Sequence, residues 1–368
     1  MNPAAPSRPR GRASASGAGD KVTLEMVAAA AGVSPSTVSR ILNGTAVVSA
    51  DKRAAVDEAI ARLGFSPNPM ARGLAGGRTM SIGVITQSVD SPFYGGALRG
   101  IEIALDAAGY SPLFVSGHWH ARHEARCIQT LRSRHVDGII VLTGRLTDAT
   151  LAETARALPV VVTGRTLQRP GLFGFDFDNL GGALLATQHL IGLGHRDIAY
   201  IAGDPRHPDA EQRLRGYRMA LESAGLPVDP ARVLQGDFTE ASGLQAVERL
   251  IGSRTRFSAI FAANDQMAFG AALALHRHRL RVPDDVSMVG FDDLASAQYA
   301  IPPLTTVHHP IHELGQLAAS AMLQLLAGES PRVEQPAPRL VIRESTRAPS
   351  EPAAPAHGQR HAARRPAR

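Results

Sequence analysis

Apolar positions between residues 23 and 43 fall on a helical period. Leu24, Val27, Ala28 and Ala31 recur at i, i+3, i+4 and i+7 behind Thr23, a good N-cap, so they predict one apolar helix face. Gly32 can take the left-handed conformation that ends such a helix, and Val33 fills the corner beneath the turn. Ser34 then caps a second helix with Pro35 in its first position, where a missing N–H costs nothing. Val38, Ile41 and Leu42 of that helix face inward, leaving Pro35, Ser36, Ser39 and Arg40 outward near its N-terminal half. The spacing predicts a helix-turn-helix whose second helix could meet base edges; a helical hairpin inside a larger core is the other reading it admits. Ser49 is expected to cap a third helix, with Val56, Ile60 and Leu63 closing a small core and Gly64 stopping it.

From Thr79 the pattern changes. The runs SIGVITQ, SPLFVS, GIIVLT, PVVVTG, DIAYIAG, SAIFAAN and VSMVGF read as strands buried on both faces, each followed by enough chain for a helix. Two doubly wound α/β sheets in succession are predicted. Ligands of open α/β sheets sit beyond the carboxyl ends of the strands, so residues just after these runs are the candidates for a site.

The segments VTLEMVAAAAGVSPSTVSRILNG and VSADKRAAVDEAIARLGFSPNPMARGL resemble the DNA-binding headpiece of the LacI/GalR family of bacterial transcription regulators, and the likeness runs from about Lys21 to about Arg347. The resemblance implies an α+β multi-domain chain: a three-helix helix-turn-helix headpiece with a hinge helix, then a two-lobed, doubly wound α/β effector domain like the periplasmic sugar-binding proteins. The expected boundaries are a disordered tail over 1–20, the DNA-binding domain over 21–67, hinge helix and linker over 68–78, the effector and dimerisation domain over 79–347, and a disordered basic tail over 348–368. DNA contacts are then expected from Thr23, Ser34, Pro35, Ser36, Thr37, Ser39, Arg40 and Asn43, and from Met70, Ala71, Arg72 and Leu74 of the hinge. Pro69 would start that hinge, and Leu74 would wedge between base pairs in the minor groove. One short helix reads few base pairs, so a homodimer on a palindromic operator is expected. Tetramers in this family rest on a C-terminal leucine heptad; APSEPAAPAHGQRHAARRPAR has no leucine, which leaves a dimer as the expectation.

Effector contacts implied by the resemblance fall on Phe93, Phe177, Arg213, Phe238, Asn264 and Asp292. The residues add Tyr94, which with Phe93 could offer a flat wall to a sugar ring, and Arg165, which leaves room for an acidic sugar. An arginine fork and a carboxylate can clamp a vicinal diol, so Arg213 and Asp292 are the leading pair. Asp90, Asp178 and Asp265 could instead be helix caps, and Phe177 could be core. His118, His120 and His123 in GHWHARHE stand close together without a clear fourth ligand, and read as solvated surface rather than a metal site. His308 and His309 fall in a crossover segment, PPLTTVHHP.

Charge sits at the ends. Residues 1–78 carry ten Lys/Arg against five Asp/Glu and residues 347–368 five against one, so of the net +6 the centre contributes 6 − 5 − 4 = −3. A basic headpiece adds salt-sensitive, sequence-independent affinity for phosphates. A single cysteine, Cys127, excludes a disulfide framework, and no run of eighteen apolar residues or secretory h-region occurs, so a cytoplasmic, nucleoid-associated protein without membrane partners is expected. The chain holds no G-x-S-x-G elbow, P-loop, H-E-x-x-H or dinucleotide fingerprint. No catalysis and no cofactor are expected. Two functions stay open: an effector-controlled regulator, probed by the fragment MARGL between the domains, or a sugar-binding or sugar-processing protein with a helical appendage.

Overall fold

The computed structural model describes residues 22–42, 48–65 and 77–349. Two compact units divide at Thr79 and Met80.

In the first unit, helices α1 (Leu24–Ala31), α2 (Pro35–Leu42) and α3 (Ala50–Leu63) enclose Val27, Ala28, Val38, Ile41, Val56 and Ala59, with Val33, Leu42, Ile60 and Leu63 packed at the edge. Both helix stops are as the sequence implies: Gly32 and Gly64 are left-handed, at φ 66° and 63°. Thr23 caps α1 by accepting the Met26 N–H, whereas Ser49, at the N-cap of α3, makes no side-chain cap bond. Its extended backbone, not its hydroxyl, starts that helix.

The second unit holds two six-stranded sheets. In the first the order is β2-β1-β3-β4-β6-β5, and in the second β12-β11-β10-β9-β7-β8. All pairings are parallel except β5 with β6 and β11 with β12. The seven apolar runs are β1 (Ser81–Thr86), β2 (Ser111–Ser116), β3 (Gly138–Val141), β4 (Val160–Thr163), β7 (Ile198–Ala202), β9 (Ala259–Ala262) and β10 (Ser287–Asp292). The rest are β5 (Leu167–Arg169), β6 (Leu172–Phe175), β8 (Val233–Gln235), β11 (Thr305–His308) and β12 (Arg339–Val341), and among the helices between strands are α5 (Ala121–Ser133), α6 (Asp148–Ala155) and α9 (Glu240–Gly252). In the first sheet Ile82, Val84, Ile140 and Val161 point to one core, while Ile85, Ile139, Val141 and Val162 point to another with Cys127, Ile128 and Leu131. Burial of both faces explains why six of these runs are uniformly apolar rather than alternating; β2, expected to be buried likewise, is instead an edge strand with Leu113 and Phe114 more than a third exposed.

The chain passes between the two lobes three times. After β6 it enters α7 (Asn179–Gly192), which packs on the second sheet; after β11 it returns as α11 (Ile311–Leu326) onto the first lobe; β12 then closes the second. Helix α11 lies against α4 (Pro92–Ala107) with the backbones touching. A Cβ at Gly100 would meet the His312 carbonyl, and one at Gly315 the Ala97 carbonyl. The three crossings tie the lobes together, and the carboxyl ends of both sheets face a common cleft.

Candidate functional site

Helix α2 is built for exposure of its leading end. The Ser34 hydroxyl accepts the Thr37 N–H at 3.3 Å and lies 2.9 and 2.8 Å from the hydroxyls of Ser36 and Thr37, so the first turn is a linked set of hydroxyls. Ser34, Pro35, Ser36 and Arg40 are exposed, Thr37 and Ser39 half-buried, and Arg40 Nε donates to the Ser36 carbonyl at 3.4 Å. Val38 and Ile41 on the opposite face are buried. Helix α2 therefore offers short hydroxyls and one guanidinium on a rigid core, a surface that donates to phosphates and base edges. Asn43, Met70, Ala71, Arg72 and Leu74 lie outside the described residues.

The interlobe cleft has a volume of about 480 Å³. Its first-lobe wall is Ser88, Asp90, Phe93, Tyr94, His118 and Trp119; its second-lobe wall includes Asp204, Arg206, His207, Arg213, Asp237, Phe238, Asn264 and Asp292. At the floor Arg213 and Asp292 pair at 3.3 Å, with only 3% and 4% of their side chains exposed. Arg213 is otherwise committed: Nε donates to Asn179 Oδ1 at 2.8 Å, a terminal nitrogen to the Ala263 carbonyl at 2.5 Å, and the guanidinium lies 3.7 Å over the Phe291 ring. Asp292 Oδ1, the oxygen that faces Arg213, makes no well-aligned hydrogen bond within the protein, and His309 Nδ1 stands 3.7 Å from it. His309 is buried flat against Phe177, ring centroids 4.0 Å apart, and burial depresses its basicity in spite of Asp292. Burial, reinforced by Asp209 and Asp292, pushes the Tyr94 phenol well above its usual range.

Backbone strain collects here. Asp292 has φ 106°, Phe238 φ 72°, His118 φ 53° and Trp119 φ 55°. None is glycine, so each conformation is held against its own preference by its surroundings, a condition concentrated at ligand sites.

With this geometry in view, residues 23–68 match the family model of bacterial regulatory proteins of the lacI family, and residues 187–346 that of the periplasmic binding protein-like domain. The HTH-type transcriptional regulator CelR of Thermobifida fusca is 39% identical over 316 residues, 84% of this chain and 93% of its own. The HTH-type transcriptional repressor PurR of Proteus mirabilis is 35% identical over 328 residues, covering 88% and 96%. Among solved structures, the lac repressor dimer bound to operator and the anti-inducer ONPF superposes with a TM-score of 0.81 at 32% identity over 89% of this chain and all of that one. A CelR–cellobiose complex gives 0.64 at 36% identity over 88% and 99%. The chain belongs to the LacI family of bacterial transcription regulators. It is accordingly a helix-turn-helix DNA-binding regulator, and its relatives are regulators rather than enzymes. No helix among the described residues is long and apolar enough to cross a membrane.

Of the effector contacts expected from sequence, Phe93, Tyr94, Arg213, Phe238, Asn264 and Asp292 line the cleft together. Two do not. Arg165 is turned onto its own loop, donating to the carbonyls of Leu146 at 2.8 Å and Gly144 at 2.6 Å and to Asp148 at 3.1 Å. The guanidinium fastens the chain after β3 and does not reach the cleft. Phe177, 5% exposed, lies under His309 and lines a separate cavity of about 30 Å³, so it is packing beneath the floor. Asn264 faces the cleft with its amide already engaged, Oδ1 capping α10 (Asp265–Arg277) through the Met267 N–H and Nδ2 donating to the Phe238 carbonyl.

The acidic residues left open as caps divide three ways. Asp178 caps α7 through the Gly181 N–H, while exposed Asp90 accepts from the Ser88 hydroxyl. Asp265 is buried and accepts from the Leu294 N–H and the Thr306 hydroxyl, tying α10 to the strands. Trp119 and His207 were missed by the sequence reading. A lone tryptophan just after an apolar strand was the available signal, but it sits in the histidine cluster, where His118 and His123 rings are 5.3 Å apart and drew attention to metal chemistry.

Proposed function

We propose that this chain is a homodimeric repressor that reads a palindromic operator through α2 and releases or captures it in response to a small sugar or sugar derivative held between the lobes. The observation that carries the effector class is the state of the cleft's cations. Among the described residues lining the cleft, both arginines are already paired, Arg213 with Asp292 and Arg206 with Asp204 at 2.9 Å, while Asp90, Asp237 and Glu240 add three more carboxylates. An anionic ligand would enter an acidic site with no uncommitted guanidinium, so a neutral, hydroxyl-rich ligand is favoured and the sugar acid that Arg165 once suggested loses its support. Phe93, Trp119 and Phe238 supply flat faces for the C–H side of a sugar ring, and Asp292 Oδ1 supplies an acceptor. The sugar reading also draws on the CelR–cellobiose complex, and the dimer on the operator-bound lac repressor dimer.

The domain limits given above, 21–67 for the headpiece, 68–78 for the hinge and 79–347 for the effector domain, are part of this proposal, as is Leu74 as the minor-groove wedge. A change of lobe angle would alter the spacing of paired hinges and with it their fit to DNA. Genome-wide footprinting of the tagged protein with and without cellobiose and other neutral sugars tests the reading. Palindromic sites whose occupancy changes with one of them are expected; sites indifferent to every neutral sugar but responsive to a sugar acid or phosphate would overturn the effector class.

A further inference from the structure

Trp119 and His207 come from opposite lobes and stack at the mouth of the cleft, ring centroids 3.4 Å apart and planes 23° from parallel. His207 in turn lies 5.2 Å from Phe238 at 31°, so three rings form a ladder from one lobe to the other. Each rung is fixed. Residues 118 and 119 are both left-handed; the Trp119 N–H donates to Gln87 Oε1 at 2.8 Å, and buried Gln87 is held to the Thr143 carbonyl by its amide nitrogen at 3.4 Å. The His207 N–H is bound to the Asp204 carbonyl at 2.9 Å, directly before α8 (Pro208–Ser223). Phe238, itself at positive φ, sets the tip of its ring against Gly203, where any Cβ would run into it. Two strained backbones and a glycine thus keep the rings in register, while the remainder of the cleft is lined mainly by short polar groups.

We propose that Trp119 and His207 form an aromatic latch between the lobes, a roof that opens to admit the effector and closes over it, with the indole as the first-lobe face against which the ligand packs. The proposal rests on the sugar reading above for its ligand, but not for the latch itself. Centroids 3.4 Å apart leave no room for a ligand between the two rings, so a ligand lies deeper in the cleft and the stack must part for it to pass on this side. The latch therefore gates entry as well as exit, and its effect on the dissociation rate sets how long a bound ligand stays.

The chain has one tryptophan, so indole fluorescence reports this position alone. In the full-length protein without ligand, acrylamide quenching of Trp119 is expected to rise about twofold in His207→Ala and to return to the parent value in His207→Phe, which keeps a ring. Unchanged quenching in His207→Ala, with the fold intact by circular dichroism, overturns the latch. With cellobiose as the probe, stopped-flow dilution is expected to show dissociation about tenfold faster in His207→Ala, with association also faster because entry no longer waits for the stack to open, and His207→Phe near the parent. Equal dissociation rates in parent and His207→Ala overturn the roof. Failure of the parent to bind cellobiose or any neutral sugar counts against the sugar reading, and the ligand-free quenching then decides the latch alone.

Discussion

Replacing Arg213 by alanine would test whether the floor of the cleft is a ligand clamp, a structural tie, or both. The guanidinium is 3% exposed, pairs with Asp292 at 3.3 Å, and donates to Asn179 and the Ala263 carbonyl. At an effective dielectric of about 20, a pair at that distance interacts by about 5 kcal/mol, a gross figure that desolvation erodes. Removing one partner of a buried pair leaves the other uncompensated and costs about 3 to 5 kcal/mol. Arg213→Ala should therefore destabilise the effector unit by about that amount, which for a unit of this size lowers the melting temperature by about 6 to 20 °C. Asp292→Asn strands the Arg213 cation but keeps the shape, an acceptor oxygen and the guanidinium's bonds to Asn179 and the Ala263 carbonyl, so it should lose less stability than Arg213→Ala while binding the effector about tenfold more weakly. Combining the two removes the stranded carboxylate, and the double variant should recover part of the loss seen in Arg213→Ala. Calorimetric melts of the four proteins, with effector titrations well below the lowest transition, measure both effects. An Arg213→Ala protein that melts within about 2 °C of the parent would refute the structural tie.

Arg40→Ala should relax selection of one base pair in each operator half-site by about 1 to 3 kcal/mol, the worth of a bidentate guanine contact, as read by binding to a selected operator and its single-base variants. Gly100→Ala forces a methyl group into the His312 carbonyl where α4 and α11 touch, so a loss of about 1 to 3 kcal/mol in urea unfolding is expected, while an unaltered midpoint would contradict that close approach. Burial raises the Asp209 carboxyl to about 6, and its Oδ1 lacks a partner. An acid whose folded pKa is raised binds its proton more tightly when folded, so its contribution is fully present below about pH 4 and is lost as pH climbs through 6. Asp209→Asn should remove that decline, gaining about 1 to 3 kcal/mol over the parent at pH 7.5 relative to pH 4 in paired urea melts.

Strands and headpiece were legible for one reason, and the polar roles were obscure for another. Runs such as GIIV and IAYIA are buried on both faces, so composition alone declares them. The strands β5 and β12 are three residues long, antiparallel, and carry arginines or glutamine at the sheet edge, where nothing obliges an apolar pattern. In the headpiece Thr23, Gly32 and Pro35 act locally, each through the next few residues, and local chemistry can be read from local sequence. Arg165 and Phe177 show the limit. Both follow strands as a ligand contact should, and whether the side chain turns into the cleft or back onto the Gly144 carbonyl and His309 depends on partners twenty to more than a hundred positions away.

The strain at the cleft gives a physical reason why its rim residues escape sequence patterns. A non-glycine residue at positive φ carries a cost of roughly 1 to 3 kcal/mol that no local motif advertises. Trp119, Phe238 and Asp292 hold such conformations at three separate turns, at φ 55°, 72° and 106°. Each is kept there by a distant bond: Trp119 by Gln87, Phe238 by Asn264, and Asp292 by its pairing with Arg213. Gln87 follows β1, Asn264 caps α10 and Arg213 projects from the second turn of α8, so the two doubly wound lobes set the positions of the aromatic and acidic groups before any ligand arrives. A site organised in this way places little of its ordering cost on the ligand, and a sugar with many rotatable hydroxyls then has only its own freedom to lose.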